Sequence, residues 1–369
     1  MKTLAIFGST GSIGKTALKV YELNKNKFDL VCLSAHSNIK KLLSQNNKFN
    51  TKNLVLTSLE KNYGKIKTFD CFLKLQKKKI DYVISGFSGF EALDLNLKLL
   101  KFSKNLLIAN KETIICGGKY FIKESAKKKC KIIPIDSEHH CINFFLNNIK
   151  SKKVIKNFFI TASGGPFLNK KFNDNEPIKN VLRHPTWRMG KEISVASSNL
   201  SNKVLEIFEA RVLFNLKASD IKIIIEKNSN IHVIVEFKNN IMLPIIHSPS
   251  MIIPISNALG VSNNFKFSLK NRNFLIQYPD LKKFPIITLG YKILSMKEPN
   301  GMIIFTVLNE RLIKLYLNNK IKYSDIVKFL INFFNNKKYS YLLKKKLSNI
   351  NHILKFIKIL KNIKYANIN

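Results

Sequence analysis

The sequence has little arginine, few cysteines and no long apolar run, and each shortage excludes a class of protein. Only five of its 63 basic residues are arginine, whereas proteins that read nucleic acid favour arginine for bidentate contacts. Its five cysteines show no CxxC spacing, so they fit a reducing compartment better than a disulfide framework or a zinc site. No segment approaches the ~20 apolar residues that span a bilayer. We therefore expect a cytoplasmic protein without a nucleic-acid or membrane partner.

The chain carries a formal net charge of +40, which by itself favours a surface that binds polyanions. Lysine and asparagine, however, fill polar positions along the whole chain, and isoleucine and phenylalanine fill apolar ones. That pattern is typical of an A/T-rich genome, so we interpret the charge as a matter of composition. A non-catalytic basic binding protein built on a nucleotide fold stays as an alternative.

The first 135 residues alternate short apolar strands with helical stretches, which predicts an α/β fold with a Rossmann-like, doubly wound parallel sheet. The expected strands cover residues 3–7, 28–34, 53–56, 82–85, 104–109 and 131–135. Later strands are expected at 154–162, 221–225, 231–237 and 241–244, and helices at 203–214, 303–317, 323–334 and 342–363.

At 369 residues the chain is too long for one ordinary core. We predict a nucleotide-binding domain over 1–125, a central α+β catalytic domain over 126–261, a linker over 262–286 and a helical domain over 287–369. The linker is polar and poorly periodic, and the final stretch is rich in lysine, asparagine and isoleucine.

Glycines at 8, 11 and 14 follow the first strand and open a helix. In that context glycine permits a tight turn and a close approach of the backbone to a pyrophosphate, which the amino end of the helix would hold. The spacing is G-x-x-G-x-x-G rather than G-x-G-x-x-G, so the order of strand, turn and helix carries the prediction.

The end of the second strand decides between NAD and NADP. NAD enzymes tend to place an acid there for the ribose hydroxyls, but this chain has His36, Ser37 and Asn38, with Lys40 and Lys41 just beyond. These hydroxyl, amide and cationic groups favour a 2′-phosphate, and therefore NADPH. The alternative is that His36 is an ordinary loop residue.

Three acids in the middle of the chain predict a metal site. Asp136 and Glu138 follow a strand, and in extended chain they would point the same way; Glu206 comes from a helix. Three carboxylates without a thiolate suit Mg²⁺ or Mn²⁺. Taken alone, such acids are more often surface residues.

Small and polar groups nearby predict a phosphate site and a lid. Ser163 leads into two glycines, and Ser197, Asn202 and Lys203 add donors suited to a phosphate. Trp187, the only tryptophan, lies with Met189 between Pro185 and Gly190, a suitable lid to exclude water. The alternative for Trp187 and Met189 is core packing.

With these motifs in hand, the chain resembles the 1-deoxy-D-xylulose 5-phosphate reductoisomerase family. The matching stretches lie in the family's order, mainly within residues 1–260, with a fainter match at 308–310. They are GSTGSIG (8–14), ANKE (109–112), DSEH (136–139), SGGPF (163–167), RHPTWRMG (183–190), ISV (193–195), NK (202–203) and EAR (209–211).

The resemblance implies an NADP-dependent oxidoreductase and isomerase of the non-mevalonate isoprenoid pathway. It would rearrange the ketose phosphate through retro-aldol and aldol steps, and reduce the product to 2-C-methyl-D-erythritol 4-phosphate. The cofactors would be NADPH and Mg²⁺, Mn²⁺ or Co²⁺, and family members are homodimers. Another NADP-dependent oxidoreductase, which would need no metal, is the alternative enzyme.

The resemblance also implies residue roles, matched by position. The metal ligands would be Asp136, Glu138 and Glu206, which with Lys111 and His184 form the catalytic set. Substrate contacts would come from Ser137, Glu138, Ser163, His184, Ser197, Asn202, Lys203 and Glu206. Cofactor contacts would come from Thr10, Gly11, Ser12, Ile13, His36, Ser37, Asn38, Asn110, Lys111, Glu112 and Gly190, and the lid from Trp187 and Met189.

Several positions depart from the family pattern. Ala196 stands for the usual Asp, Asn199 for Thr and Val204 for Gly, residues 226–232 keep only part of a motif, and Ser250 and Ile252 flank Met251 where Asp and Arg are common. These departures put efficiency and stability in question more than reaction type, because all three presumed metal carboxylates are present.

Overall fold

A computed structural model describes residues 1–187, 189–268 and 273–365 of the chain. These residues form two compact units, each built from separate stretches. The first unit contains Met1–Asn110, Phe121–His140 and Ser250–Phe267, and the second contains Lys111–Tyr120, Cys141–Pro249 and Ser268–Asn369. Arg188 of the RHPTWRMG stretch, the middle of the predicted linker (269–272) and the last four residues lie outside the described part.

The first unit is organised around a parallel sheet of seven strands among the described residues, in the order β4-β3-β2-β1-β5-β6-β7. The strands are β1 (Lys2–Phe7), β2 (Phe28–Ala35), β3 (Asn53–Leu56), β4 (Ile66–Thr68), β5 (Ile80–Ser85), β6 (Ser103–Ile108) and β7 (Lys131–Pro134). The doubly wound parallel sheet predicted from the sequence is confirmed. The chain moves outward from β1 to β4 and returns on the other side of β1, so the strand order reverses between β1 and β5, where ligands bind in such sheets.

Helices follow most of these strands. They are α1 (Ser12–Leu23), α2 (Ile39–Phe49), α3 (Phe69–Leu75), α4 (Ala92–Leu100), α5 (Lys111–Lys127) and α6 (Ser137–Asn148). A later helix, α10 (Ile252–Leu259), packs against the same sheet. Side-chain caps mark the starts of two of these helices: the Asn38 side chain accepts from Lys41 N at α2, and the Thr68 side chain accepts from Cys71 N at α3. Helix α5 is broken at Gly118, which has non-helical φ and ψ angles.

Apolar side chains from the sheet and from the helices packed on it form the core of the first unit. Leu4 and Ile6 of β1 and Leu33 of β2 are fully buried, and they belong to one packed group with Val20 of α1 and Ile255 of α10. Each such side chain contributes about 1.5–3 kcal/mol by leaving water. The core therefore holds β1 and α1 firmly, and with them the glycine turn that joins the two.

The second unit contains a mixed sheet in the order β11-β10-β8-β9-β12. Its strands are β8 (Ile155–Ala162), β9 (Ile221–Glu226), β10 (Ile231–Phe237), β11 (Met242–Ile246) and β12 (Ile276–Gln277). Strands β8 and β9 run parallel and the other pairs are antiparallel. β12 lies inside the segment predicted as a linker and pairs with β9, so part of that segment belongs to the sheet.

Helices complete the second unit, in agreement with the helical carboxyl-terminal region predicted from the sequence. They are α7 (Ile178–Val181), α8 (Lys191–Ser198), α9 (Ser201–Phe214), α11 (Ile286–Leu294), α12 (Asn300–Leu317), α13 (Tyr323–Asn335), α14 (Ser340–Lys344) and α15 (Ile350–Lys361). The single helix predicted over 342–363 is wrong, because the chain leaves the helical conformation at Lys345 and restarts where Asn349 caps α15 by accepting from His352 N.

Val204, one of the departures from the family pattern, is accommodated by a glycine on a neighbouring helix. Val204 of α9 is fully buried. A Cβ atom at Gly290 of α11 would lie 2.7 Å from Val204 Cγ1 and 2.8 Å from Cγ2. The methyl groups of Val204 thus occupy the space that a side chain at 290 would need, and we infer that the two positions depend on each other.

We predict that Gly290→Ala lowers the free energy of unfolding by about 1–3 kcal/mol through overpacking, although alanine is ordinarily the better helix former by about 1 kcal/mol. In a Val204→Ala background the two methyl groups are gone, so Gly290→Ala should cost much less or stabilise. Urea unfolding of the four proteins measures the coupling. An equal loss of unfolding free energy from Gly290→Ala in both backgrounds would contradict the dependence between positions 204 and 290.

Candidate active site

The glycine turn at the end of β1 brings backbone segments into direct contact. Gly8 has φ +72°, and a Cβ atom there would lie 2.6 Å from Gly86 O, just after β5. A Cβ atom at Gly14 would overlap Gly8 O and Ser9 Cα, so the first turn of α1 packs directly on the preceding turn. Gly11 is less crowded, because a Cβ atom there would lie 3.3 Å from Gly8 O. Gly8 and Gly14 are therefore required for the close packing of the backbone in this turn.

The amino end of α1 has the features of an anion site. Its N-cap residue is Gly11, and no side chain of the described residues caps it. The first backbone N–H groups of a helix have no partner within the helix, and together with the helix dipole they attract negative charge. Thr10, Gly11, Ser12 and Ile13, the predicted cofactor residues, occupy this turn.

The groups predicted to select NADP lie on and before α2. His36 Nδ1 is 3.0 Å from Thr57 Oγ1, and the Asn38 side-chain oxygen accepts from Lys41 N, also at 3.0 Å. Gln45, four residues after Lys41, is hydrogen-bonded to Ser9 in the glycine turn (2.6 and 2.9 Å). Since residues four apart share a helix face, this face of α2 lies along the glycine turn.

Lys41 adds a cation to this end of the sheet. The neighbouring Lys15 amine, through side-chain interaction and like charge, lowers the pKa of the Lys41 side chain. Two ammonium groups this close repel each other, and an anion between them would remove that repulsion. The pair is therefore suited to a phosphate group.

Asp136 and Glu138 are positioned by the start of a helix, which corrects the expectation of an extended chain there. Asp136 O accepts from His140 N, at 2.7 Å, and α6 begins at Ser137. Asp136 is thus the residue before the first helical turn and Glu138 lies within that turn. Asp136 Oδ1 lies 2.9 Å from the buried His139 Nδ1, so the imidazole orients one carboxylate oxygen. Ser137 donates to Glu138 Oε2.

In the second unit, Glu206 lies among three of the predicted site residues. Its Oε1 accepts from Asn202 Nδ2 at 2.6 Å and is 3.7 Å from Lys111 Nζ, while Oε2 pairs with Lys203 Nζ. Glu206, Lys203 and Lys111 are all buried. An ammonium group on each side stabilises the carboxylate charge where water is scarce. The i to i+3 and i to i+4 spacings on α9 bring Lys203 and Asn202 to Glu206.

Backbone contact also builds the predicted phosphate site. Gly164 and Gly165, after β8, both have positive φ angles (+82° and +65°), and a Cβ atom at Gly165 would lie 2.9 Å from Ser197 O. The glycine loop that begins at Ser163 can therefore lie directly against the end of α8. Leu200, with φ +66°, makes the turn into α9, which carries Asn202 and Lys203 in its first turn.

His184 joins this loop to the predicted lid. Its Nδ1 accepts from Thr186 N (3.2 Å) and Trp187 N (2.9 Å), and its Nε2 lies 2.9 Å from Ser163 Oγ. Because backbone N–H groups only donate, Nδ1 carries no proton, so Nε2–H donates to Ser163. Burial and the charge of Lys203 lower the pKa of His184 to about 4. His184 is therefore neutral at physiological pH.

Three cofactor residues predicted from the resemblance lie at or near helix starts. Asn110 precedes α5 and donates to Gly89 O at 3.1 Å, and Gly190 is the N-cap residue of α8. Burial and the nearby Glu310 carboxylate raise the pKa of Glu112 to about 7. Near neutral pH this carboxyl group is partly protonated and can donate as well as accept a hydrogen bond.

Some groups around the site were not singled out from the sequence. They are His139 beside Asp136, Glu192, whose pKa is raised mainly by burial, and Tyr323, whose hydroxyl is 2.8 Å from Ser198 Oγ. Tyr323 also packs its ring on Phe167 of the SGGPF stretch. The DSEH stretch held the signal for His139, whereas Tyr323 lies 125 residues from its partner, so no local pattern marks it.

Three family models match the chain. One described as 1-deoxy-D-xylulose 5-phosphate reductoisomerase covers residues 4–118, and two describing carboxyl-terminal domains of that enzyme cover 132–214 and 246–363. The 1-deoxy-D-xylulose 5-phosphate reductoisomerase of Pelagibacter ubique is 39% identical over 96% of both chains. The chain belongs to the 1-deoxy-D-xylulose 5-phosphate reductoisomerase family. The resemblance drawn from its motifs is thus confirmed.

Further relatives support this family membership. The enzyme of the same name from Ehrlichia canis is 33% identical over 89% of this chain and 90% of its own. A crystal structure of DOX-P reductoisomerase in complex with NADPH, fosmidomycin and magnesium is 28% identical, with a TM-score of 0.89 over 100% of this chain and 98% of the other. The Zymomonas mobilis enzyme in complex with NADPH, at 24% identity and a TM-score of 0.82, shares the fold.

We predict that the neutral state of His184 makes stability depend on pH. Its pKa is 6.5 ordinarily and about 4 in the folded protein, so between these values the unfolded chain binds the proton more readily. The stability that His184 contributes to the folded protein is fully present above about pH 6.5, and the free energy of unfolding falls as pH drops toward 4. In His184→Gln this part of the slope should vanish in urea unfolding at several pH values.

The exposed His352 supplies the matched control. His352→Gln should keep the slope of the unaltered protein between about pH 4 and 6.5. An unchanged slope in His184→Gln would show that another group carries the pH dependence.

Proposed function

We propose that the chain converts 1-deoxy-D-xylulose 5-phosphate to 2-C-methyl-D-erythritol 4-phosphate, using NADPH and a divalent metal ion. The observation that carries the proposal is 39% identity to a named reductoisomerase over 96% of the chain, with every presumed metal and phosphate group present. The related crystal structure of DOX-P reductoisomerase is a complex with NADPH, fosmidomycin and magnesium. The reaction combines an isomerisation with a reduction, which fits a nucleotide-binding sheet joined to a polar catalytic region.

Asp136, Glu138 and Glu206 are the groups that would hold the metal. Their donor set consists of carboxylate oxygens, which suits Mg²⁺ or Mn²⁺, with Co²⁺ a further candidate. His139 orients Asp136 as outer partners orient metal ligands, and Asn202 does the same for Glu206. When bound, the cation supplies Lewis-acid polarisation of the substrate's carbonyl and hydroxyl oxygens, and NADPH supplies the hydride.

The chain's own residues bind and orient the substrate. Lys203, Asn202, Ser163 and Ser197 provide the cation, amide and hydroxyl groups for its phosphate and hydroxyls, and Ser137 adds a further hydroxyl contact. His184 donates from Nε2 and remains neutral. Lys111 would contact the substrate near its reacting carbons, a role supported by its Nζ lying 3.7 Å from Oε1 of the proposed metal ligand Glu206. Trp187 and Met189 form the lid that excludes water.

The same proposal assigns the cofactor groups. The turn of Thr10, Gly11, Ser12 and Ile13 binds the pyrophosphate through helix N–H groups, and His36, Ser37 and Asn38 surround the 2′-phosphate, with Lys15 and Lys41 as cations. The remaining contacts to the cofactor come from Asn110, Glu112 and Gly190. NADPH is preferred over NADH because cations rather than an acid follow the second strand.

The family is expected to be homodimeric, and one feature of the second unit supports this. β11 is at an edge of its sheet, and Met242 and Leu243 are exposed. An exposed apolar edge strand is a ready surface for pairing with a second copy. No helix of the described residues is long and apolar enough to cross a membrane. The cytoplasmic location remains a prediction.

We predict that adding 1-deoxy-D-xylulose 5-phosphate to the purified protein with Mn²⁺ oxidises NADPH, measured by its absorbance. EDTA should abolish the reaction and excess Mn²⁺ restore it. Glu138→Gln should lower turnover by roughly a thousandfold, because it removes a metal ligand, while NADPH binding stays nearly intact. Glu298→Gln, at an exposed position, is the matched control and should keep full turnover.

The outcomes separate the alternatives. Another NADP-dependent oxidoreductase would be insensitive to EDTA, and a basic binding protein would show salt-sensitive nucleic-acid binding without a need for Glu206. Failure of the unaltered protein to oxidise NADPH with this substrate would overturn the proposal.

We further predict that Lys41→Ala raises KM for NADPH at least several-fold and leaves KM for NADH nearly unchanged, because NADH has no 2′-phosphate. Lys48→Ala removes the same charge from the last turn of the same helix, where Lys48 pairs with Glu22, and should affect neither. Steady-state kinetics with both nucleotides measure this. Equal effects of Lys41→Ala on the two cofactors would rule out this role for Lys41.

A further inference from the structure

Two histidines in the second unit form a buried stack. His232 lies in β10, and His247 directly follows β11. Their ring centroids are 3.7 Å apart with an interplanar angle of 19°, and both residues are buried. The register between β10 and β11 shifts between Ile231 and Val233. Such an irregularity re-aims the side chain it contains, and here it brings His232 under the ring of His247.

Hydrogen bonds to carbonyl groups hold each ring in one orientation. His232 Nε2 lies 3.3 Å from His247 O, and His247 Nδ1 lies 2.7 Å from Ser248 O. A carbonyl oxygen only accepts, so each of these nitrogens carries a hydrogen. His247 N in turn donates to Asn230 O at 3.0 Å. The stack is thus tied to the backbone on both sides, and neither ring can turn without losing a hydrogen bond.

The indole of Trp187 contacts this stack edge-on. Its ring centroid is 6.3 Å from that of His232, with an interplanar angle of 69°, the T-shaped arrangement that aromatic pairs favour. The backbone of the same residue donates to His184 Nδ1. The segment proposed as the lid is therefore attached at two points, by its backbone to a substrate-binding histidine and by its indole to His232.

We infer that His247 is a positioning residue for the lid: by stacking on His232 it fixes the ring against which Trp187 rests. The inference deepens the proposed function and rests on it for the meaning of the lid. His247 acts through His232 and does not itself touch substrate. Without the His247 ring, the His232 ring loses its stacking partner and can move more easily. The indole of Trp187 then packs against a ring whose position is no longer fixed.

The test uses the chain's single tryptophan, since all tryptophan emission then comes from the lid. Without nucleotide or substrate, His247→Ala should shift the emission of Trp187 to longer wavelength and increase its quenching by acrylamide, because the indole becomes more accessible. His247→Phe keeps a flat ring for stacking and should restore emission close to that of the unaltered protein. Val235→Ala, at a fully buried position of β10, controls for general destabilisation and should leave the emission unchanged.

Kinetics supply the second readout. A looser lid holds the substrate less well, so His247→Ala should raise KM for 1-deoxy-D-xylulose 5-phosphate several-fold with a smaller change in kcat, and His247→Phe should recover most of the loss. Emission and KM equal to those of the unaltered protein would overturn the inference, as would equal emission shifts in His247→Ala and Val235→Ala. If the unaltered protein fails to turn over this substrate, the proposed function falls, while the emission test still decides whether His247 holds Trp187.

Discussion

Close contact between backbone segments, of a kind that only glycine permits, underlies both units of this protein. In the first unit Gly8 lies against Gly86 where the strand order reverses, and Gly14 seats α1 on the turn. In the second unit Gly165 brings the loop after β8 against Ser197 O. In each case a missing side chain lets helix N–H groups, serine hydroxyls and backbone carbonyls gather at one place. Proposed anion sites thus arise in two unrelated sheets from the same steric condition.

Several polar groups of the proposed site interact in short chains of contacts rather than as isolated pairs. His184 shows this well, since its Nδ1 accepts from Trp187 N in the proposed lid while its Nε2 donates to Ser163 Oγ. Glu206 similarly draws Lys111, Asn202 and Lys203 together. Such networks are costly to leave incomplete in a region of low dielectric constant, so substituting one member disturbs the orientation of the others. By contrast, most of the lysines behind the net charge of +40 lie on solvated positions that the fold does not constrain.

Sequence reasoning succeeded where the signal is local. Buried strands of either kind can be continuous apolar runs, so the parallel strand over 53–56 and the antiparallel strand over 231–237 were predicted with their observed bounds. It failed at Asp136–Glu138, because a run of polar residues after a strand does not reveal that Asp136 already caps a helix. The helix predicted over 342–363 failed for a related reason, since the break before Asn349 depends on a side-chain cap.

The sequence by itself determined the family, the type of cofactor-binding fold and the residue types available for a metal and a phosphate, because these are recorded in motifs of fixed order and spacing. Only the tertiary structure decided which polar groups meet. The neutral His184, the raised pKa of Glu112 and the stacking of His247 on His232 depend on burial and on neighbours far away in the chain. Electrostatic and packing energies depend on distance in space and on the surrounding dielectric, and neither can be read from separation along the chain.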